Sequence, residues 1–200
     1  MPCKERRGDS RPRNPKPGFL VLLLLLGLPL RGMAAEFTAN MVLKDGGKTM
    51  PGKLYVKGDK MRHEFMDEQG QTVTIVRKDK KVVWVVMPRE RIYTEMPLKR
   101  ELPGQFLQLP EYALQKRRVG TEMVSGYPTE RYQVTVPGDA FGPVIQTFWI
   151  CDKLGLPLKM ECKEKKFSVE YKDIKEGPVA DRLFEPPPGY RKIATPTGLL

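Results

Sequence analysis

Between Gly52 and Glu95 the chain writes short extended segments one after another, with almost no room for a helix. The densest piece runs from Thr72 to Pro88. Val73, Thr74, Ile75 and Val76 lie on one side of the charged Lys78-Asp79-Lys80-Lys81, and Val82-Val83-Trp84-Val85-Val86-Met87 on the other. β-branched and aromatic residues flanking a charged turn are the signature of a hairpin. A chain built this way is committed to an antiparallel sheet whose strands follow one another.

The same reading extends in both directions. Strands are expected at 37–43, 52–57, 60–66, 71–77, 81–87 and 91–95, with Asp45-Gly46-Gly47-Lys48 and Gly58-Asp59 as hairpin turns. The fifth has no polar alternate between Val82 and Met87, which implies cover on both faces. After an interruption, strands resume within 111–123 and at 127–136, 144–151, 156–164 and 167–174. Eleven strands make one large sheet, which must curl, close or be covered. The interruption, Pro97 to Pro110, reads either as two short helical turns laid on the sheet by their leucines or as an irregular connector. The tail holds a short helical piece around 180–184 and then an extended Pro186-Pro187-Pro188-Gly189.

The first 35 residues bear on the compartment. Lys4, Arg6, Arg7, Arg11, Arg13 and Lys16 precede an apolar run from Phe19 to Leu30, and Gly32-Met33-Ala34-Ala35 follows. This is the layout of a secretory signal peptide cleaved near Ala35. The run is a dozen residues, against the ~20 that span a bilayer. The expected product is a soluble periplasmic domain of residues 36–200. The leader carries +5 of the chain's net +11, and the remaining +6 favours solubility and weak, transient adhesion to anionic membranes.

Catalytic machinery is missing from the pattern. His63 is the single histidine and stands between Met61 and Phe65, so the residues suggest a side chain at the rim of the sheet and no metal site. Ser125 and Ser168 lack a nucleophile context, and Glu122, Glu130, Glu161 and Glu170 all have basic neighbours for surface ion pairs. No cofactor and no nucleic acid are implied, and a hydrolase is the third choice among functions.

Several short motifs carry a resemblance. Asp79-Lys80-Lys81-Val82-Val83-Trp84-Val85-Val86-Met87-Pro88 resembles the Asp-x-Lys-x-x-Trp-x-x-x-Pro hairpin of the periplasmic outer-membrane lipoprotein-sorting carriers, the LolA-type fold. Gly52 to Lys57, Trp149 to Leu158 and Leu183 to Tyr190 resemble further segments of those carriers and of related domains of unknown function. The resemblance implies an incompletely closed barrel of about eleven antiparallel strands, with short helices over its concave face and a lipid-holding role. Where the carriers have an Arg-Pro pair that helps retain cargo, this chain has Gly58-Asp59, a departure that bears on lipoprotein transfer itself.

The leading expectation is therefore an exported protein that binds or carries a lipid, an acyl chain or an acylated protein without covalent chemistry. The alternative is a module with a filled core that recognises an envelope protein and holds no ligand. The apolar residues expected to line a ligand site are Met61, Phe65, Trp84, Trp149, Leu158 and Met160. A hairpin turn at Asp152 to Gly155 sets Cys151 opposite Leu156, Trp149 opposite Leu158, Thr147 opposite Met160 and Ile145 opposite Cys162. Both thiols would then share a face roughly 20 Å apart. That is too far for a disulfide, which spans about 4.4–6.8 Å between α-carbons.

Overall fold

A computed structural model describes residues 35–67, 70–98, 109–138 and 142–194. The expected leader and most of the 97–110 interruption, from 99 to 108, lie outside them. The strands are β1 (Glu36–Asp45), β2 (Lys48–Lys57), β3 (Lys60–Asp67), β4 (Gly70–Arg77), β5 (Val82–Met87) and β6 (Ile92–Pro97). They continue with β7 (Gln115–Val124), β8 (Tyr127–Val136), β9 (Val144–Cys151), β10 (Leu156–Cys162), β11 (Phe167–Glu176) and β12 (Arg191–Ile193). All belong to one sheet, in the order β12-β6-β5-β4-β3-β2-β1-β11-β10-β9-β8-β7. Two meanders, a first arm of β1–β6 and a second arm of β7–β11, are thus joined where β1 pairs with β11.

The sheet is mainly antiparallel and not closed into a barrel, as the resemblance implies, but two details differ. Among the described residues there are twelve strands, and β12 runs parallel to β6, with Arg191 opposite Ile92. Three residues after a proline run are too few to show an alternation. The helical piece expected around 180–184 is a 3₁₀ turn, Asp181–Phe184, and the helical turns considered for 97–110 lie outside the described residues.

Antiparallel order sends the hairpin turns to two ends of the sheet. The β1–β2, β3–β4, β5–β6, β8–β9 and β10–β11 connections lie at one end, and β2–β3, β4–β5, β7–β8 and β9–β10 at the other. At the β1–β2 turn, Asp45 pairs with Lys48, and Gly46 and Gly47 have φ of 54° and 93°. The two-residue turn that matches strand twist needs positive φ at both positions, which glycine adopts without strain.

The first arm is regular and has apolar side chains on both faces. On one face Phe37, Leu54, Val56, Met61, Val76, Val83 and Met96 are buried, in a cluster that also takes Trp149, Cys151, Leu156, Leu158, Val169 and Tyr171 from the second arm. On the other face Val73, Ile75, Trp84 and Val86 are buried against Val179 and Phe184 of the tail. Strand β5 is covered on both sides for this reason.

Ionic contacts pin the tail. Lys57 and Lys60 reach Asp181 at 3.0 and 2.7 Å, and Arg62 donates to the Leu183 carbonyl at 3.1 Å. The buried Arg77 donates to Asp79 at 2.6 and 2.8 Å, to the Phe184 carbonyl at 3.2 Å and to Glu185. The hydrogen bonds from Arg77 hold the Asp79 carboxyl down to about 2.

The second arm is irregular. Its register shifts between Arg118 and Gly120, and again between Pro157 and Lys159. A third shift, at Thr38/Asn40, marks the junction of the arms. The shift in β10 corrects the register expected from sequence. Cys151 does oppose Leu156, but Trp149 opposes Lys159 rather than Leu158, and Phe148 opposes Met160. Leu158 is the extra residue of a bulge. Directly opposed residues share a face and neighbours along a strand alternate, so Cys162 lies on the face opposite Cys151. Both cysteines are free and buried.

Candidate functional site

The six residues expected to line a ligand site separate. Met61, Trp149 and Leu158 are buried in the cluster that both arms share, and Phe65 packs against it half-buried. Trp84 lies on the other face of the first arm, under the tail. Its Nε1 donates to Glu95 Oε2 at 2.8 Å, and Lys80 Nζ stands 5.4 Å from its ring. Met160 belongs to a third cluster, with Val134, Val136 and Phe148. Strand parity separates Trp84 from Met61, and the Leu158 bulge separates Met160 from Trp149.

Trp149 is sealed by polar neighbours. Its Nε1 donates to Glu122 Oε2 at 2.8 Å, Arg131 reaches the same carboxylate at 3.4 Å, and Lys159 Nζ lies 4.4 Å from the ring centre.

Phe65 leads to a concavity. A pocket of about 220 Å³ is lined by Pro51, Gly52, Lys53, Glu64, Phe65, Met66 and Gln71. Its floor depends on Gly52. A Cβ there would sit 2.4 Å from both the Glu64 carbonyl oxygen and Met41 Cε, so the Met41 side chain rises from the shared cluster against bare backbone. Met66, on the rim, is 53% exposed. Strand alternation puts Pro51, Lys53, Glu64, Met66 and Gln71 on the face opposite the shared cluster, so the pocket opens onto solvent on that face, and the β2–β3 backbone at Gly52 and Phe65 stands between it and Met41. A glycine inside a strand is the sequence signal for this close approach, although alternation alone makes Gly52 no more than the start of a strand.

A second, more polar concavity of about 160 Å³ lies at the junction of the arms. Thr38, Asn40, Lys53, Tyr55, Asp173 and Lys175 border it, and Asn40 Nδ2 donates to Asp173 Oδ2 at 2.9 Å. Desolvation, with the nearby Glu64 charge, raises the Tyr55 hydroxyl above its usual range.

His63 is not at the rim. It is 3% exposed, with Nε2 2.8 Å from Tyr171 Oη and its ring stacked at 5.9 Å on the tyrosine. Burial lowers its pKa to about 4 and raises that of Tyr171. A neutral imidazole closed against a protonated phenol and shielded from solvent links β3 to β11 within the core. Nothing near His63 in the sequence points to this partner, since Tyr171 lies on β11, across the joint from β3. Among the described residues no group of three or more His, Cys, Asp or Glu is placed to hold a metal ion.

The family model described as a domain of unknown function, DUF4412, matches residues 37–155. No curated protein matches the sequence. An uncharacterized conserved protein from Thermus thermophilus superposes with a TM-score of 0.53 at 11% identity, covering 82% of this chain and 93% of that one. The MucA/MucB complex of Pseudomonas aeruginosa gives 0.48 at 15% identity, with 76% of this chain and 56% of that one covered. The LolA superfamily protein NE2245 from Nitrosomonas europaea gives 0.39 at 12% identity, covering 76% and 90%. The chain spans about half of the MucB chain, and at these identities the likeness is one of fold.

Proposed function

The chain belongs to the DUF4412 family, whose description brings no activity with it, and from that premise we propose an exported, non-enzymatic protein that binds a lipid or an acyl chain, free or attached to a protein. The observation that supports this reading is the pocket over Gly52. It is a solvent-open concavity with apolar lining from Pro51, Phe65 and Met66, separated from the apolar cluster shared by both arms by the backbone at Gly52. Its volume is below the roughly 300–1,000 Å³ of ordinary ligand pockets, so an acyl chain enters by moving side chains aside. Phe65 is half-buried, and Met41 and Met61 beneath it are the adaptable kind of core residue. Burying ten methylenes yields roughly 8 kcal/mol before ordering costs, which corresponds to micromolar binding.

Export rests on the order of charged, apolar and small residues in the first 35 positions. Among the described residues no helix is long and apolar enough to cross a membrane. N-terminal sequencing of the extracytoplasmic protein tests this, and a retained Phe19–Leu30 run overturns it.

Displacement of a fluorescent fatty acid from delipidated protein tests the ligand. Saturable micromolar binding is expected, weakened at least roughly tenfold by Phe65→Glu and unchanged by Trp84→Phe, which does not line the pocket. The filled core favours a second reading, since Met61, Trp84, Trp149, Leu158 and Met160 are each 6% exposed or less. Absence of saturable binding and of co-purified lipid would overturn the ligand reading and leave the filled-core protein-binding module as the better one.

A further inference from the structure

Exposed apolar side chains are not spread evenly over this protein. Among the described residues the large ones are Met66, Tyr112, Leu114, Met123 and Ile145. All but Met123 lie at the end of the sheet that carries the β1–β2 turn. Leu114 N donates to the Thr135 carbonyl at 2.8 Å, and Thr135 opposes Ile145, so Tyr112, Leu114 and Ile145 all lie at this end of the sheet, where β7 and β9 begin.

Between those residues and Met66, in strand order, come two adjacent turns. Asp45 opposes Phe167 across the joint of the arms, which places Lys44 and Lys48 beside Lys163, Lys165 and Lys166. The acids of these two turns are Asp45 and Glu164. Lys44, Lys163 and Lys166 are exposed and have no carboxylate partner among the described residues. The opposite end is also basic, but many of its lysines are engaged: Lys57 and Lys60 with Asp181, Lys80 with Glu185, Lys153 with Glu176.

We infer that the β1–β2 end is a docking surface for an anionic lipid bilayer. Unpaired lysines flanked by exposed Leu, Ile, Tyr and Met are the combination that an anionic headgroup layer over an acyl interior attracts. An acidic protein would satisfy the lysines but leaves the flanking apolar groups without a role. The pocket over Gly52 opens toward the same end, through Met66. The inference deepens the proposed function and rests on it in one respect, by placing the pocket mouth against the membrane that supplies or receives the lipid.

The test is co-flotation of protein from the extracytoplasmic fraction with phosphatidylcholine vesicles, with and without about 30% phosphatidylglycerol. Binding to the anionic vesicles only, weakening with salt, is expected. Lys163→Glu/Lys166→Glu should lower it by roughly tenfold or more, and Leu114→Ser/Ile145→Ser should lower it without altering the salt dependence. Lys78→Glu/Lys81→Glu makes the same change of charge in a hairpin turn at the other end and should have little effect. Equal loss from the two lysine pairs, or no preference for anionic vesicles, overturns the inference. Fatty-acid displacement by the unmutated protein keeps the two readings apart. Displacement without flotation overturns docking alone, and flotation without displacement overturns the ligand reading alone.

Discussion

The two arms are built from the same kind of strand yet differ in order. In the first, the ladders from β1–β2 through β5–β6 run without a shift. In the second, β7–β8 and β9–β10 each contain one. The first arm is also covered on its far face by the tail, whereas β7 is exposed along most of its length. Uninterrupted alternation lets the first arm present two apolar faces and bury both. The bulges of the second arm exchange that regularity for twist, and turn individual side chains such as Trp149 and Met160 to different sides.

The largest expected effect tests the tail as a layer of the first arm. Phe184 of the tail is fully buried, so Phe184→Ala should cost about 3–5 kcal/mol in urea unfolding. A loss under about 1 kcal/mol would mean that the tail only rests on the sheet.

Acid should act on the two clusters in separate windows. His63, in the cluster both arms share, has a folded-state pKa of about 4, below the ordinary 6.5. Between those values the unfolded chain binds the extra proton. Stability is therefore full above pH 6.5 and falls by about 3 kcal/mol as pH drops to 4. His63→Gln should flatten that slope. Asp79, held near 2 by Arg77, and the lowered Asp181 and Glu185 contribute above the ordinary carboxylate range. Their stabilisation is lost only below about pH 4, as pH falls through the depressed values. Unfolding curves showing one merged transition in His63→Gln and wild type alike would refute the separation.

Next in size is Gly52→Ala. Its methyl meets backbone oxygen, which cannot swing aside, and about 1–3 kcal/mol should be lost. A neutral result would show that β2 and β3 can part at the pocket. Smallest is Met123→Ser, on the exposed strand of the second arm, expected within about 0.5 kcal/mol of wild type by the same measurement.

The contrast between the arms also explains what the residues reveal by themselves. Alternation in Met61-Arg62-His63-Glu64-Phe65 and the unbroken Val82–Met87 run carry the first arm to its observed faces, because nothing interrupts them. The same logic applied to Trp149 and Leu158 stops at a bulge, since one extra residue leaves no mark in composition but inverts everything after it. Of the six residues expected to line a site, Met61 and Phe65 are legible as sharing a face of β3 and Trp149 and Leu158 as lying near each other in one hairpin, but that the two pairs meet is not. Gly52 is visible in the sequence, but its close neighbours Met41 and Glu64 are not. Tyr171 and Arg77 give no warning of their roles, because their partners come from strands or tail far along the chain.

The joint between β1 and β11 sets the order of assembly. The first strand to emerge waits for a partner made almost a domain later, and until then its edge is an open template for any other chain. Closing so long a loop late is slow. A polypeptide delivered N-terminus first into a crowded compartment would therefore stand half-finished, its first meander formed and one flank bare. Its yield should depend on how fast the last third of the chain arrives and on what shields that flank meanwhile.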